Sequence, residues 1–468
     1  MRKESVTIRY LVAALCLSVP IIYWLLHLRY RIDNVDDAWS FAWAYQWQVN
    51  GIIEDIVFRG GTQLEGSSFS MLYRLLYGWV GATFGWTKSN AHLVSTVLVV
   101  GASALWTLAL KKLGYKSGFC LLFGLLFLLV EPIFGAANQA RTDALSLVWI
   151  AAAVWSASRR SGLGVGFFTI LAFENHPAAA VHAGGFGLAV LGYSIFSGSD
   201  GRVRRAALQK VSLGLIAGTA IGGLLYFVLH YNTLGYLTAT FAQARRMEVY
   251  GVRNYFFSYF FLTRYLRHIP ELVLLLLIFI LAYRRNFYRR ARLEALLLGV
   301  TLAASVLIAR PNFHYVAFAY PAFLLLFLSF GDHWEKLGLM ATGLGLFFTL
   351  QYCWVYWQQG NYDFREQTRR LSLTLADDDL PVFGTAEAWF AFYDRDFRHL
   401  SVPEGGLPAP GRGFYLVRKT PDRYALSPTL ERLLDDYSLS RISDLKFPGG
   451  IITVDKAIPV ESEQPAPE

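Results

Sequence analysis

The sequence predicts an α-helical polytopic membrane protein with outer interfacial helices and a small C-terminal soluble α/β domain. Three observations predict it. The 468 residues are 54% hydrophobic and 16% aromatic but only 16% charged, against roughly a quarter charged in a soluble domain. Apolar runs long enough to cross a bilayer recur along most of the chain. Towards the C-terminus the pattern changes, and prolines and aspartates break up short alternating stretches.

The apolar runs lie near residues 8–29, 90–110, 117–135, 142–158, 162–175, 178–197, 209–230, 269–283, 292–309, 314–330 and 337–356, about eleven in all. The first follows Met1-Arg2-Lys3 and has no small-residue cleavage site after it, so an uncleaved first helix is expected. Basic residues gather in short loops: Lys111, Lys112 and Lys116; Arg159 and Arg160; Arg202, Arg204, Arg205 and Lys210; Arg284, Arg285, Arg289, Arg290 and Arg292. The positive-inside rule places these loops, and the N-terminus, in the cytoplasm. Residues 30–68, 135–141, 174–177, 231–268, 310–313 and everything after about 357 then lie outside. A span at 69–86 would invert that order. Its Tyr, Trp and Arg74 content suits a helix in the outer interface instead.

Two units are therefore expected. Residues 1–356 form the membrane unit, whose outer loop 30–89 holds the interfacial helices. Residues 357–468 form the soluble α/β unit, with Val382-Phe383 and Gly413 to Val417 as strands and a frayed end over 461–468. The net charge of +9 resides in the loops, which argues for membrane lipids and against nucleic acid as partners. Cys16, Cys120 and Cys353 all fall in apolar runs, so neither a disulfide framework nor a zinc site is implied.

Four constellations could carry chemistry. Asp36 and Asp37 follow the first span, where carboxylates can accept a proton, bind a metal or pair with a cation. In a helix the two point about 100° apart, so one can face a cavity while the other holds an arginine or the backbone. A helix N-terminus there suits negative charge. The same residues also suit a hydrated loop with a helix cap. Arg141 and Asp143, at the next outer turn, can pair with each other, or Arg141 can face an anion. Glu174 and His176 can line a cavity at a tight turn, although His before Pro177 is also an ordinary turn. Arg310, His314 and Tyr315 open a late span, where a helix N-terminus and an arginine fork suit phosphate and where simple interfacial anchoring is the alternative. The loop 231–268 adds Arg245, Arg246, Arg253, Arg264, Arg267 and His268 against the positive-inside trend, which an anionic headgroup or a substrate phosphate explains.

Taken in order, these pieces resemble the GT-C superfamily of polytopic glycosyltransferases. The closest branch is the bacterial one related to protein O-mannosyltransferases and the aminoarabinose transferase of lipid A. Asp36-Asp37-Ala38 stands where that family places an Asp-Glu or Asp-Asp pair, and Ala140-Arg141-Thr142-Asp143 where it often has Arg-Pro-Asp. His176-Pro177 is similar to its Thr-His-Pro stretch, and Phe313-His314-Tyr315 to Pro321 to its Tyr-x-x-x-x-x-Pro stretch. The likeness covers about 8–330. Asp37 replaces the commoner Glu and Thr142 the commoner Pro, which leaves the substrate open more than the class.

The resemblance implies a GT-C-like glycosyltransferase, a hexosyl- or pentosyltransferase of the inner membrane and cell envelope. It would move a sugar from a polyprenyl-phosphate donor to a lipid, glycan or protein acceptor on the periplasmic face. The lack of a glycine-rich nucleotide fingerprint agrees with a lipid-linked donor. The expected chemistry is an inverting single displacement. Asp36 is the base, and Asp37 orients it or holds the acceptor. Arg310, His314 and Tyr315 bind the donor phosphate, and Arg141, Asp143, Glu174 and His176 shape the sugar and acceptor pocket. Relatives differ in using a divalent metal, so no cofactor is certain and a metal through Asp36, Asp37, Glu174 and His176 stays open. The rival classes are a transporter or flippase of lipid-linked sugars and a non-catalytic glycolipid-binding scaffold.

Overall fold

The computed structural model describes residues 35–51, 54–55, 62–63, 69–197, 201–235, 292–307, 316–329, 364–375, 379–400, 412–420, 426–447 and 450–460, with a few isolated positions besides. The runs expected at 8–29, 269–283 and 337–356 lie outside this set, apart from single helical positions.

Helix α1 (Val35–Asn50) carries Asp36 and Asp37 in its first turn, where the helix dipole favours negative charge. A short antiparallel ladder, β1 (Glu54–Asp55) with β2 (Thr62–Gln63), follows. Helix α2 (Met71–Phe84) has 14 residues. That is about 21 Å, less than the ~30 Å of a hydrocarbon core. It lies along α1. The helix expected at 69–86 is a short rod against the helix that carries the aspartate pair.

The helical bundle comprises α3 (Lys88–Lys112), α4 (Ser117–Leu129), α5 (Glu131–Ala137), α6 (Asp143–Ser158), α7 (Gly162–Asn175), α8 (Pro177–Phe196), α9 (Gly201–His230), α10 (Arg292–Leu307) and α11 (Val316–Ser329). Among the described residues, α3, α8 and α9 are long and apolar enough to cross a membrane, while α4, α6, α7 and α11 are shorter apolar helices. The run expected at 117–135 is two helices. It breaks at Val130, and Pro132 sits in the first turn of α5, a place where its missing N–H costs nothing. Leu213, Ile216, Leu224 and Phe227 of α9 are exposed, an apolar outer face suited to lipid.

Helices α7 and α9 pack through glycine. A Cβ on Gly162 would lie 2.0 Å from the Val211 carbonyl oxygen, and one on Gly218 would lie 2.0 Å from that of Leu163. Gly162 and Gly166 face Gly214, Gly218 and the turn between them. The four-residue spacing puts them on one stripe of each helix. Small residues let membrane helices approach until dispersion and backbone contacts hold them.

The C-terminal part forms a mixed sheet of five strands in the order β4-β3-β5-β7-β6. The strands are β3 (Val382–Gly384), β4 (Phe397–His399), β5 (Phe414–Thr420), β6 (Tyr437–Phe447) and β7 (Gly450–Pro459). Strand β3 pairs in parallel with β4 and β5, and β7 pairs antiparallel with β5 and β6. The strands expected at 382–383 and 413–417 are β3 and β5, neighbours in the interior of the sheet. Alternation along β5 sends Phe414 and Leu416 to one core, with Phe383 and Leu430, and Tyr415 and Val417 to the other. That second core continues through Trp389 and Phe390 into Phe41 of α1. Phe41 lies 6.1 Å from Trp389 between ring centroids, and Tyr45 lies 5.6 Å from Tyr393. The sheet unit therefore rests directly on the helix bearing Asp36 and Asp37.

Candidate functional site

Exposed basic turns and a group of carboxylates stand at opposite ends of the bundle. Helix α3 begins at Lys88 and finishes at Lys111-Lys112; α6 begins at Asp143 and is followed by Arg159-Arg160. Helix α7 finishes at Glu174-Asn175, while α9 begins beside Arg202, Arg204 and Arg205 and finishes at His230. The exposed basic turns share one end. The carboxylates Asp36, Asp37, Asp143 and Glu174 share the other.

Asp37 faces inward. Its side chain is 0% exposed, and its Oδ1 accepts a hydrogen bond from the Ala140 amide at 2.7 Å. His92 Nε2 lies 3.2 Å from Oδ2 and Lys88 Nζ 3.8 Å from it. Both come from the first turns of α3, which Thr87 caps. Asp36, one residue earlier, points to Arg141 and pairs with its guanidinium. Arg141 also binds Asp143 through Nε at 2.8 Å. One arginine thus joins two carboxylates, and the pair Asp36-Asp37 divides as helix geometry dictates. Asp36 is the accessible member, with 23% of its side chain exposed against 2% for Asp143.

The turn carrying Arg141 is held at nearly every residue. Thr96 donates to the Ala137 carbonyl, Ser95 to that of Gln139 and Tyr73 to that of Ala140. Asn175 Nδ2 donates to the Thr142 carbonyl and to Ser146 Oγ, both at 2.7 Å. Tyr77 joins Ser95 at 2.7 Å. Four helices fix the backbone on which Arg141 stands. Such fixation keeps a charged group oriented without reorganisation.

Glu174 is completely buried and does a different task. Its Oε1 accepts from the amides of Met71, at 2.5 Å, and Leu72, at 3.2 Å, and lies 3.1 Å from His230 Nε2. Ser70 stands before α2 with φ 65° and makes no side-chain cap. The N-terminal amides of α2 are therefore capped from 103 residues away. Beside it, Arg74 is 1% exposed, with its guanidinium 5.4 Å from the Trp43 ring. Its Nε and Nη1 meet no acceptor, and Glu174 Oε2 meets no donor. Burial lowers the Arg74 pKa to about 10, with the charge of Glu174 opposing the shift.

His176 links α7 and α8, and its Nδ1 accepts from the Ala178 amide at 3.1 Å. Burial holds its pKa at about 4, opposed by the charge of Asp143 and reinforced by that of Arg141. An unfolded histidine titrates near 6.5. The folded value is the lower one, so His176 contributes stability above about pH 6.5 that is lost as pH falls towards 4. Wild type should melt progressively lower across that interval, and His176→Asn, which keeps a capping acceptor, should show a flatter profile. Equal pH slopes for the two chains would refute this.

Of the expected site residues, Asp36, Asp37, Arg141 and Asp143 come together as one ionic cluster. Glu174 and His176 sit at the adjoining helix ends. Arg310, His314 and Tyr315 lie outside the described residues, as do Arg245 to His268 of the cationic loop. Among the described residues no group of three His, Cys, Asp or Glu side chains is placed to hold a metal ion. Asp37 Oδ1 and Glu174 Oε1 bind backbone amides. Lys88, His92, Arg74 and His230 join the site without any local mark in the sequence.

No family model and no curated protein matches the sequence. Among solved structures the chain is similar to ArnT from Cupriavidus metallidurans. With the crystal structure bound to undecaprenyl phosphate the TM-score is 0.57 at 13% identity, over 94% of this chain and 97% of that one. The apo crystal structure gives a TM-score of 0.52 at the same identity and coverage. At that identity the likeness is one of fold: the chain shares the overall fold of these structures, a helical bundle with a C-terminal sheet unit.

Proposed function

We propose that the protein is a glycosyltransferase that moves a hexose or pentose from a polyprenyl-phosphate carrier to an acceptor hydroxyl at the outer face of the inner membrane. The observation that carries this reading is the ionic cluster itself. It presents one accessible carboxylate, Asp36, on a rigid frame at the end of the bundle away from the basic turns. Under the positive-inside rule that end is periplasmic. The similar ArnT structure holds undecaprenyl phosphate, which supports a polyprenyl-phosphate donor here. A transporter would be expected to gather charge near the middle of its helices, whereas this cluster stands at helix ends.

In the proposed step the acceptor O–H gives its proton to Asp36 as its oxygen bonds to the anomeric carbon. The bond from that carbon to the phosphate oxygen breaks, and its electron pair leaves with the polyprenyl phosphate. A single in-line displacement inverts the anomeric centre. Asp37, tied to Lys88, His92 and the Ala140 amide, orients the start of α1. Arg141 and Asp143 border the sugar pocket beside Glu174 and His176. Arg310, with His314 and Tyr315, would take the phosphate charge. The acceptor is a lipid, a glycan or a protein. Trp389 packs against α1, and the unit 357–468 would close the pocket over it.

The test is consumption of synthetic polyprenyl-phosphate sugars by the purified chain, offered as a panel with mixed envelope acceptors. Release of free polyprenyl phosphate, dependent on acceptor, is expected from one sugar of the panel. Binding of every donor without release would favour the scaffold reading.

Arg74 gives a sharper check. Removing one partner of a buried charge pair costs about 3–5 kcal/mol. Arg74→Met should therefore lower the melting temperature, because it leaves Glu174 buried without the cation beside it. An unchanged or raised melting temperature would show that the fold does not depend on the Arg74 charge.

A further inference from the structure

The end of the bundle opposite the carboxylates has a built feature of its own. A cleft of about 460 Å³ opens where α3 and α6 finish, lined by Leu108, Lys111, Lys112, Trp155 and Arg159. The Arg159 guanidinium lies 4.8 Å from the centre of the Trp155 ring, so one cation is held in place by an aromatic wall. Lys111 and Lys112 form the last turn of α3. All three cations are exposed, and none pairs with a carboxylate among the described residues. Leu108 is 51% exposed one turn deeper along α3, on the side that leads into the bilayer.

Cations at membrane helix ends commonly do no more than set orientation. Here three of them converge on one cleft with an aromatic wall and an apolar floor, and no acidic residue lines it. That combination matches a phosphate attached to hydrocarbon. We propose that this cleft binds the headgroup of an anionic phospholipid. Lys111, Lys112 and Arg159 take the phosphate, and Trp155 and Leu108 lie against the first acyl carbons. The site is independent of the sugar-transfer reading. It joins α3 and α6, whose opposite ends hold Lys88, His92 and Asp143, so an occupant would brace the same two helices that frame the ionic cluster.

The experiment uses the full chain in neutral detergent, with phosphatidylglycerol, phosphatidylcholine and inorganic phosphate as separate probes. Phosphatidylglycerol should raise the melting temperature and stay bound in native mass spectrometry, and the other two should do neither. The triple variant Lys111→Gln, Lys112→Gln, Arg159→Gln should bind phosphatidylglycerol at least about ten-fold more weakly. A control with the same charge change, Arg202→Gln, Arg204→Gln, Arg205→Gln, should bind as wild type does. Equal binding by phosphatidylcholine, saturation by phosphate alone, or equal losses in the two triple variants would overturn the proposal. A photoreactive phosphatidylglycerol needs no variant: crosslinks on peptides holding Leu108 and Trp155 are expected, and crosslinks confined to other peptides would overturn it.

Discussion

Asp36→Asn should slow sugar transfer by about 10²- to 10⁴-fold, the usual weight of a general base, and leave the chain folded. Both halves of that expectation follow from the cluster. Asparagine keeps the shape of the side chain but cannot take the acceptor proton. Arg141 does not lose its anchor, because Nε remains bound to Asp143 at 2.8 Å and the turn behind it is fixed through Ala137, Gln139, Ala140 and Thr142. Asp37→Asn should behave differently. It would leave Lys88 and His92 facing a neutral group inside the protein, with a structural cost of about 3–5 kcal/mol for breaking a buried pair. The measurement is donor turnover beside a melting curve for each variant. Wild-type turnover in Asp36→Asn would remove it as the base. An unfolded Asp36→Asn would show that the cluster is primarily structural.

A single methyl group should have a large effect on stability. In Gly218→Ala the new Cβ would sit 2.0 Å from the Leu163 carbonyl oxygen and 2.9 Å from the Phe167 amide nitrogen. These are backbone atoms, so no rotamer change relieves the clash. The helices must separate, and overpacking of this kind costs about 1–3 kcal/mol or more. The strain would reach the site, because α7 carries Glu174 and α9 carries His230 at their shared end. Gly101→Ala is the matched control: nothing lies within 4 Å of its added Cβ, and helix propensity favours alanine there by about 1 kcal/mol. Thermal unfolding in detergent should separate the two variants clearly. Similar melting temperatures would mean that α7 and α9 can slide apart at little cost.

Much of this architecture can be read from residue order. The charge deficit and apolar runs announce the bundle, and the aromatic stretch 69–86 with Arg74 reads as a helix that does not span. Asp36-Asp37 and Arg141-x-Asp143 are legible because each is a local group of charges beside an apolar run. What joins them is not local. His92 lies inside an apolar run and Lys88 looks like an ordinary helix flank; only the fold brings both to Asp37. Glu174 reads as a pocket residue, yet its Oε1 caps a helix that begins 103 residues earlier. The parallel pairing of β3 with β4 and β5 is a matter of long-range register. Pro132 marks the break between α4 and α5 by its chemistry, and the glycines of 162–166 and 214–222 mark their stripe by spacing. Both become meaningful once the partner helix is known.

The distances along the chain within the ionic cluster have a consequence for biosynthesis. Asp36 and Arg141 are 105 residues apart, and at about 5–20 residues per second the ribosome needs roughly 5–20 s to travel from one to the other. Through that interval a nascent chain holds two neighbouring negative charges without the arginine that later pairs with one of them. His230 follows Glu174 by a further 56 residues. A helix threaded the wrong way between α3 and α9 would send one partner of such a pair to the opposite membrane surface and leave the other as an uncompensated charge.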